Sequence, residues 1–179
     1  MGRFNTKTRI LQSLLIGAGL TGAANAAEVF VTSNISTSTT WTSNNTYNLQ
    51  NQIYVLPGAT LTIQAGTIVA SDTGIGGSLA VCRGAQIFVM GTKTKPVIMT
   101  SKADVATWTN GNPRTGVWRE GVNEWGNLTI MGAAYISENL ASFGNTPFPD
   151  PGNEAQMEGL VNGAATAYYG GAVHDDSSD

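Results

Sequence analysis

The chain has 179 residues, 41% hydrophobic but only 12% charged, against the roughly one quarter usual for soluble globular chains. A formal net charge of -3 excludes a polybasic nucleic-acid binder, and the scarcity of Glu, Lys and Arg excludes a coiled coil or helical bundle. The length suits one domain with its own core, with Thr, Ser, Asn, Gln and Gly standing in for the missing charge.

Residues 1–26 read as a secretory signal peptide. Arg3, Lys7 and Arg9 make a positive start, and 10–22 is a short apolar run. Ala24-Asn25-Ala26 then offers an A-x-A cleavage signal, with the cut after Ala26. The run falls short of the roughly 20 apolar residues that span a bilayer, and no second candidate exists. The mature chain is therefore expected to be exported, secreted or on the cell surface, with no membrane span. The leader carries three of the nine basic residues and no acid, which leaves six basic against twelve acidic residues, a net of -6. No charge occurs between Glu28 and Asp72, and every charge after Arg119 is acidic. Cys82 is the single cysteine, so no disulfide framework holds this exported chain, and it reads as a plain semi-buried residue.

The segment 32–52 reads as a first, irregular coil with strands at Thr40-Trp41-Thr42 and Thr46-Tyr47-Asn48-Leu49. A repeat follows. Val55-Leu56-Pro57-Gly58-Ala59-Thr60-Leu61-Thr62-Ile63 matches Val81-Cys82-Arg83-Gly84-Ala85-Gln86-Ile87-Phe88-Val89 as V-x-x-G-A-x-[LI]-x-[IV], at an offset of 26 throughout. A partial third copy, Asn127-Leu128-Thr129-Ile130-Met131-Gly132, aligns with 86–91 at an offset of 41, which implies an inserted loop at about 102–124. Apolar residues alternate within each copy, the mark of a strand with one buried face. A further strand is expected after each copy, at Thr67-Ile68-Val69, Pro96-Val97-Ile98-Met99 and Ala134-Tyr135-Ile136.

Strands that repeat at one period stack on their own copies, and about three coils are needed to bury the apolar face. The expectation is an all-β, right-handed parallel β-helix (solenoid) of about three to four coils over 27–179. Leu61, Ile87 and Leu128 should share one interior column, and Ile63, Val89 and Ile130 the next. An antiparallel sandwich shares the alternation but gives no reason for a fixed offset. Outward Thr, Asn, Gln and Ser suit flat stacked walls, where like charges would repel.

These residues carry a resemblance. The run Thr40-Trp41-Thr42-Ser43-Asn44-Asn45-Thr46-Tyr47 leads into Ile53–Ile63; then come Trp125-Gly126-Asn127-Leu128, Met157-Glu158-Gly159-Leu160, Tyr169-Gly170-Gly171 and Asp175-Asp176-Ser177-Ser178. Their order and spacing resemble secreted bacterial β-helix proteins of the pectate-lyase-like fold group, mostly uncharacterised exported or surface proteins. The motifs are specific to fold, not to activity. In that group the acidic-Ser turn leads into more coils, so the resemblance implies that this chain is the N-terminal part of a longer protein. It also places the chain on the scaffold of pectate-lyase-like enzymes, which need an acidic calcium cluster and a base on one outer wall.

No nucleophile–base set, phosphate loop or zinc spacing is present, and the only histidine is His174. No catalytic residue is expected within the chain. Asp150, Glu154 and Glu158, and Asp175, Asp176 and Asp179, in the acidic loop-rich end at 139–179, are calcium candidates, since hard oxygen ligands suit that ion. Trp108 and Trp118 in the inserted loop are glycan-contact candidates, because exposed aromatic faces stack on sugar rings. The expected role is an exported structural or adhesive surface module that meets extracellular polysaccharide or cell-surface components. The alternative is the N-terminal part of a polysaccharide lyase or glycoside hydrolase whose active coils lie beyond residue 179.

Overall fold

The computed structural model describes residues 26–134, 136, 154–160 and 165–171. The chain winds round three sheets in a fixed order. One full coil runs through β4 (Gln52–Val55), β5 (Thr60–Ile63) and β6 (Ile68–Ser71), and the next through β7 (Ser78–Val81), β8 (Gln86–Val89) and β9 (Ile98–Ser101). Before them, β1 (Ala27–Val31), β2 (Thr39–Trp41) and β3 (Asn45–Leu49) make an irregular first coil, and β10 (Leu128–Ile130) begins another.

Every pairing among these ten strands is parallel. Sheet A is β1-β3-β6-β9, sheet B is β4-β7-β10 and sheet C is β2-β5-β8. This is a parallel β-helix. The offset of 26 is seen directly in Ile53 on Leu79 and Leu61 on Ile87. Alternation then does the rest: Leu49, Ile53, Val55, Leu61, Ile63, Val69 and Leu79 point inward and are fully buried. In the first coil, Trp41 and Tyr47 stack with ring centroids 4.6 Å apart.

The turns explain the glycines of the repeat. Gly58 and Gly84 occupy equivalent corners at φ +83° and +72°, and Gly58 N–H donates to the Gly84 carbonyl at 2.7 Å. Gly77 is needed for a different reason, because an added Cβ would lie 2.3 Å from the Leu49 carbonyl oxygen.

Three strand expectations change. Leu128 and Ile130 do not continue the columns of Ile87 and Val89. They pair with Leu79 and Val81 on sheet B. The physical reason is winding order: after β9 in sheet A the chain must re-enter at sheet B before it reaches sheet C. The apolar alternation is the same in both copies, so it could not tell the two columns apart. Ala134 lies in a bend and Ile136 in no strand, while Tyr135 is outside the described residues, so no strand is seen at 134–136. And β1, unread in the sequence, adds a fourth strand to sheet A.

Outside the barrel-like core, β11 (Glu154–Gln156) pairs antiparallel with β12 (Tyr168–Gly170). Arg83 forms an ion pair with Glu154 and also donates to the Gly170 carbonyl at 2.7 Å. Beneath this ribbon a second cluster forms from Tyr54, Ala80, Cys82, Met131, Leu160 and Ala167. Both faces of sheet B are thereby covered, which is why all four residues of β7 are buried. Cys82 is buried there; burial raises its thiol pKa, and Sγ lies 3.4 Å from the Thr166 carbonyl oxygen.

The outer wall of sheet A is polar. The buried Asn48 amide donates to Glu28 at 2.8 Å and to Asp72 at 2.9 Å, and Lys102 pairs with Glu28 at 2.8 Å. One amide thus separates two carboxylates on stacked coils, and the lysine balances one of them.

Candidate functional site

Between β9 and β10 the chain leaves the solenoid for residues 102–127. The excursion starts with one helical turn, α1 (Lys102–Val105), capped by Ser101, whose Oγ accepts from Asp104 N–H at 3.0 Å. A 3₁₀ turn at Pro113–Thr115 follows, with Pro at its first position and Asn112 as its cap. Hydroxyls hold the loop to itself. Thr107 Oγ1 accepts from Val117 N–H at 3.2 Å, and Thr115 Oγ1 from Thr109 N–H at 2.8 Å. The loop is fastened to the solenoid where Gly74 N–H donates to the Asn123 carbonyl at 2.8 Å and Gly126 N–H to Gly77 at 3.0 Å. Trp125 packs against the core.

The folded-back loop encloses a cleft of about 370 Å³ against the end of sheet A. Its floor carries Thr100, Ser101 and Asp104, and its far wall Trp118, Arg119 and Glu124. Arg119 and Glu124 form an ion pair there. The Ser101 hydroxyl donates to Glu124 at 2.7 Å and receives the Arg119 guanidinium at 3.3 Å. The Arg119 contact, then the Ser101 hydroxyl, hold the Glu124 carboxyl below its ordinary range, and Glu124 raises Arg119 in return. Arg119 Nε is buried with no hydrogen-bond partner. Asp104 accepts from the Thr100 hydroxyl at 2.7 Å and from the Trp108 indole N–H at 3.3 Å.

The loop gives its two tryptophans different places. Trp108 is half-buried behind the cleft, holds Asp104, and lies close against the backbone of Gly116. Trp118 is 88% exposed and lines the cleft. Of the calcium candidates, Glu154 turns both carboxylate oxygens to Arg83, and Glu158 is exposed in a turn. Asp150, Asp175, Asp176, Asp179 and His174 lie outside the described residues. Among the described residues no group of three or more His, Cys, Asp or Glu is placed to hold a metal ion. No described helix is long and apolar enough to cross a membrane.

Sequence reasoning singled out Trp118 but missed Asp104, Ser101, Arg119 and Glu124 as a set. The one available signal was the crowding of Arg119, Glu120 and Glu124 in the only long break of the repeat. The clefts under the β11–β12 ribbon and at the N-terminal mouth lack this mixture. Arg83 in the first is already paired, and no charged residue lines the second.

Glu124 and Glu28 both have folded-state carboxyls below the usual 4.5, Glu28 chiefly through its hydrogen bond with Lys102. Groups of this kind stabilise the fold above their unfolded pKa, and that contribution is lost as pH falls through the folded value. The melting temperature is therefore expected to fall on acidification below about pH 4.5. In Glu124→Gln the same titration should be shallower; an identical acid limb in the variant contradicts the assignment.

The stacked parallel sheets, with a loop-walled cleft on the outside of the solenoid, define a β-helix protein. The chain matches the model of the pectate-lyase like beta helix domain over residues 33–179 and belongs to that family. No curated protein and no solved structure matches it.

Proposed function

We propose that the chain is an exported structural or adhesive surface module that binds extracellular polysaccharide in the cleft beneath the 102–127 loop. The observation that carries this reading is Trp118, a large ring 88% exposed at the edge of a polar cleft. Val117, 65% exposed, lines the same cleft beside it, so the loop presents an apolar patch on a polar wall, and such patches mark interaction sites. A sugar ring offers matching chemistry: its C–H face packs on an indole, and its hydroxyls meet carboxylates, hydroxyls and a guanidinium. Export is supported by the leader-like segment 1–26.

Binding is favoured over general acid catalysis by Glu124. General acid catalysis needs a carboxyl raised towards the working pH. Arg119 moves Glu124 the other way. The test is a glycan array with the full chain. At least one polysaccharide class should bind, and Trp118→Ala should weaken it about tenfold or more. Binding that survives Trp118→Ala unchanged, or no binding to any class, overturns the reading.

A further inference from the structure

The cleft also carries information about the charge of its ligand. Its lining holds two carboxylates, Asp104 and Glu124, against one guanidinium, Arg119. That guanidinium is already engaged by Glu124 and Ser101. Asp104 receives hydrogen bonds only from neutral donors, the Thr100 hydroxyl and the Trp108 indole. Lys102, at the start of α1, is turned to Glu28.

A uronate entering this cleft would meet one guanidinium, already ion-paired through Nη2 with Glu124, and two carboxylates. An ammonium group would find the opposite: a carboxylate that no cation hydrogen-bonds, although Arg119 lies within electrostatic reach, and an exposed indole, the aromatic surface best suited to a cation. We infer that the cleft takes an amino-sugar glycan, whose free ammonium pairs with Asp104 while its ring lies on Trp118, in preference to a polyuronate. This rests on the glycan-binding reading above and sets the substrate class for it.

The probes are a β-1,4-linked glucosamine oligomer, its fully N-acetylated counterpart and an oligogalacturonate, titrated into the full chain by calorimetry. The acetylated oligomer keeps the sugar backbone and removes the charge. The glucosamine oligomer should bind about fivefold tighter than the acetylated one at low salt, an advantage that shrinks as salt rises. Oligogalacturonate should be the weakest of the three. Asp104→Asn should abolish the preference, bringing the glucosamine oligomer to the affinity of the acetylated one, while a cooperative thermal melt of the variant reports that the chain is still folded; a preference that survives the substitution overturns the inference. Equal binding of the two oligomers, or tighter binding of oligogalacturonate, overturns the inference while the glycan-binding reading stands. If none of the three binds and the array is also blank, the glycan-binding reading falls with it.

Discussion

Leu79→Ala is expected to lower the free energy of unfolding by about 2–5 kcal/mol, the range for a leucine truncated in a packed core. Leu79 is the centre of an interior column, with Ile53 below and Leu128 above. It points into the core and is fully buried, while the β11–β12 ribbon covers Ala80 on the outer face of the same strand. Strands above and below leave the backbone little freedom to collapse into the void, so the cavity persists. Leu128, one coil on, is 40% exposed and supplies the internal control. Leu128→Ala should cost well under half as much, since the lost burial is smaller and water already reaches the site. Chemical denaturation with unchanged slope would read both values. Equal losses at the two positions would show that the column is not graded as described.

Gly77→Ala should be comparably damaging, at about 3 kcal/mol or more, for a steric reason and not a hydrophobic one. The new methyl would lie 2.3 Å from the Leu49 carbonyl oxygen, 2.5 Å from Ser71 Oγ and 2.8 Å from Ser71 Cβ. All three atoms belong to residues in strands of sheet A, the Ser71 hydroxyl also accepts from Gly77 N–H at 3.0 Å, and none is the far end of a long flexible side chain. Gly58 provides the contrast. Nothing lies within 4 Å of its added Cβ, but φ is +83°. Gly58→Ala should therefore cost only the backbone strain, about 1–2 kcal/mol. Thermal melts of the two variants would separate clash from strain; a milder effect at Gly77 than at Gly58 sinks the distinction.

The repeat was legible because a solenoid writes its geometry into one dimension. When coil n stacks on coil n+1, each inward position recurs at a fixed offset, so Val55 and Val81, or Leu61 and Ile87, announce their pairing without a structure. The uncharged stretch 29–71 was legible for the same reason, since it occupies the stacked coils. The column of Leu128 was not. Alternation of apolar residues names a strand and its buried face, but the sheet it joins depends on how many corners the chain has turned. The long loop erased that count.

Strand β1 was hidden by polarity. Its residues are mostly exposed, and it is fixed by edge pairing to β3, not by an inward apolar stripe of its own. The missing charges were also only half explained by stacking. Glu28 and Asp72 do sit on neighbouring coils, and it is the Asn48 amide between them, with Lys102 alongside, that makes the arrangement tolerable.

What the amino-acid sequence determined by itself was the parallel β-helix, its core columns through β7, and the place where the repeat breaks; at β8 the register holds, but Val89 is 46% exposed where an interior place was expected. Each of these follows from local periodicity and backbone-permitted corners, and needs no knowledge of distant partners. Only the tertiary structure decided which tryptophan faces solvent and that Ser101, Asp104, Arg119 and Glu124 share one cleft. It alone sets Arg83 against Glu154. Those facts depend on how a loop of non-repeating sequence folds back onto the wall, where hydrogen bonds between residues far apart in the chain choose the conformation.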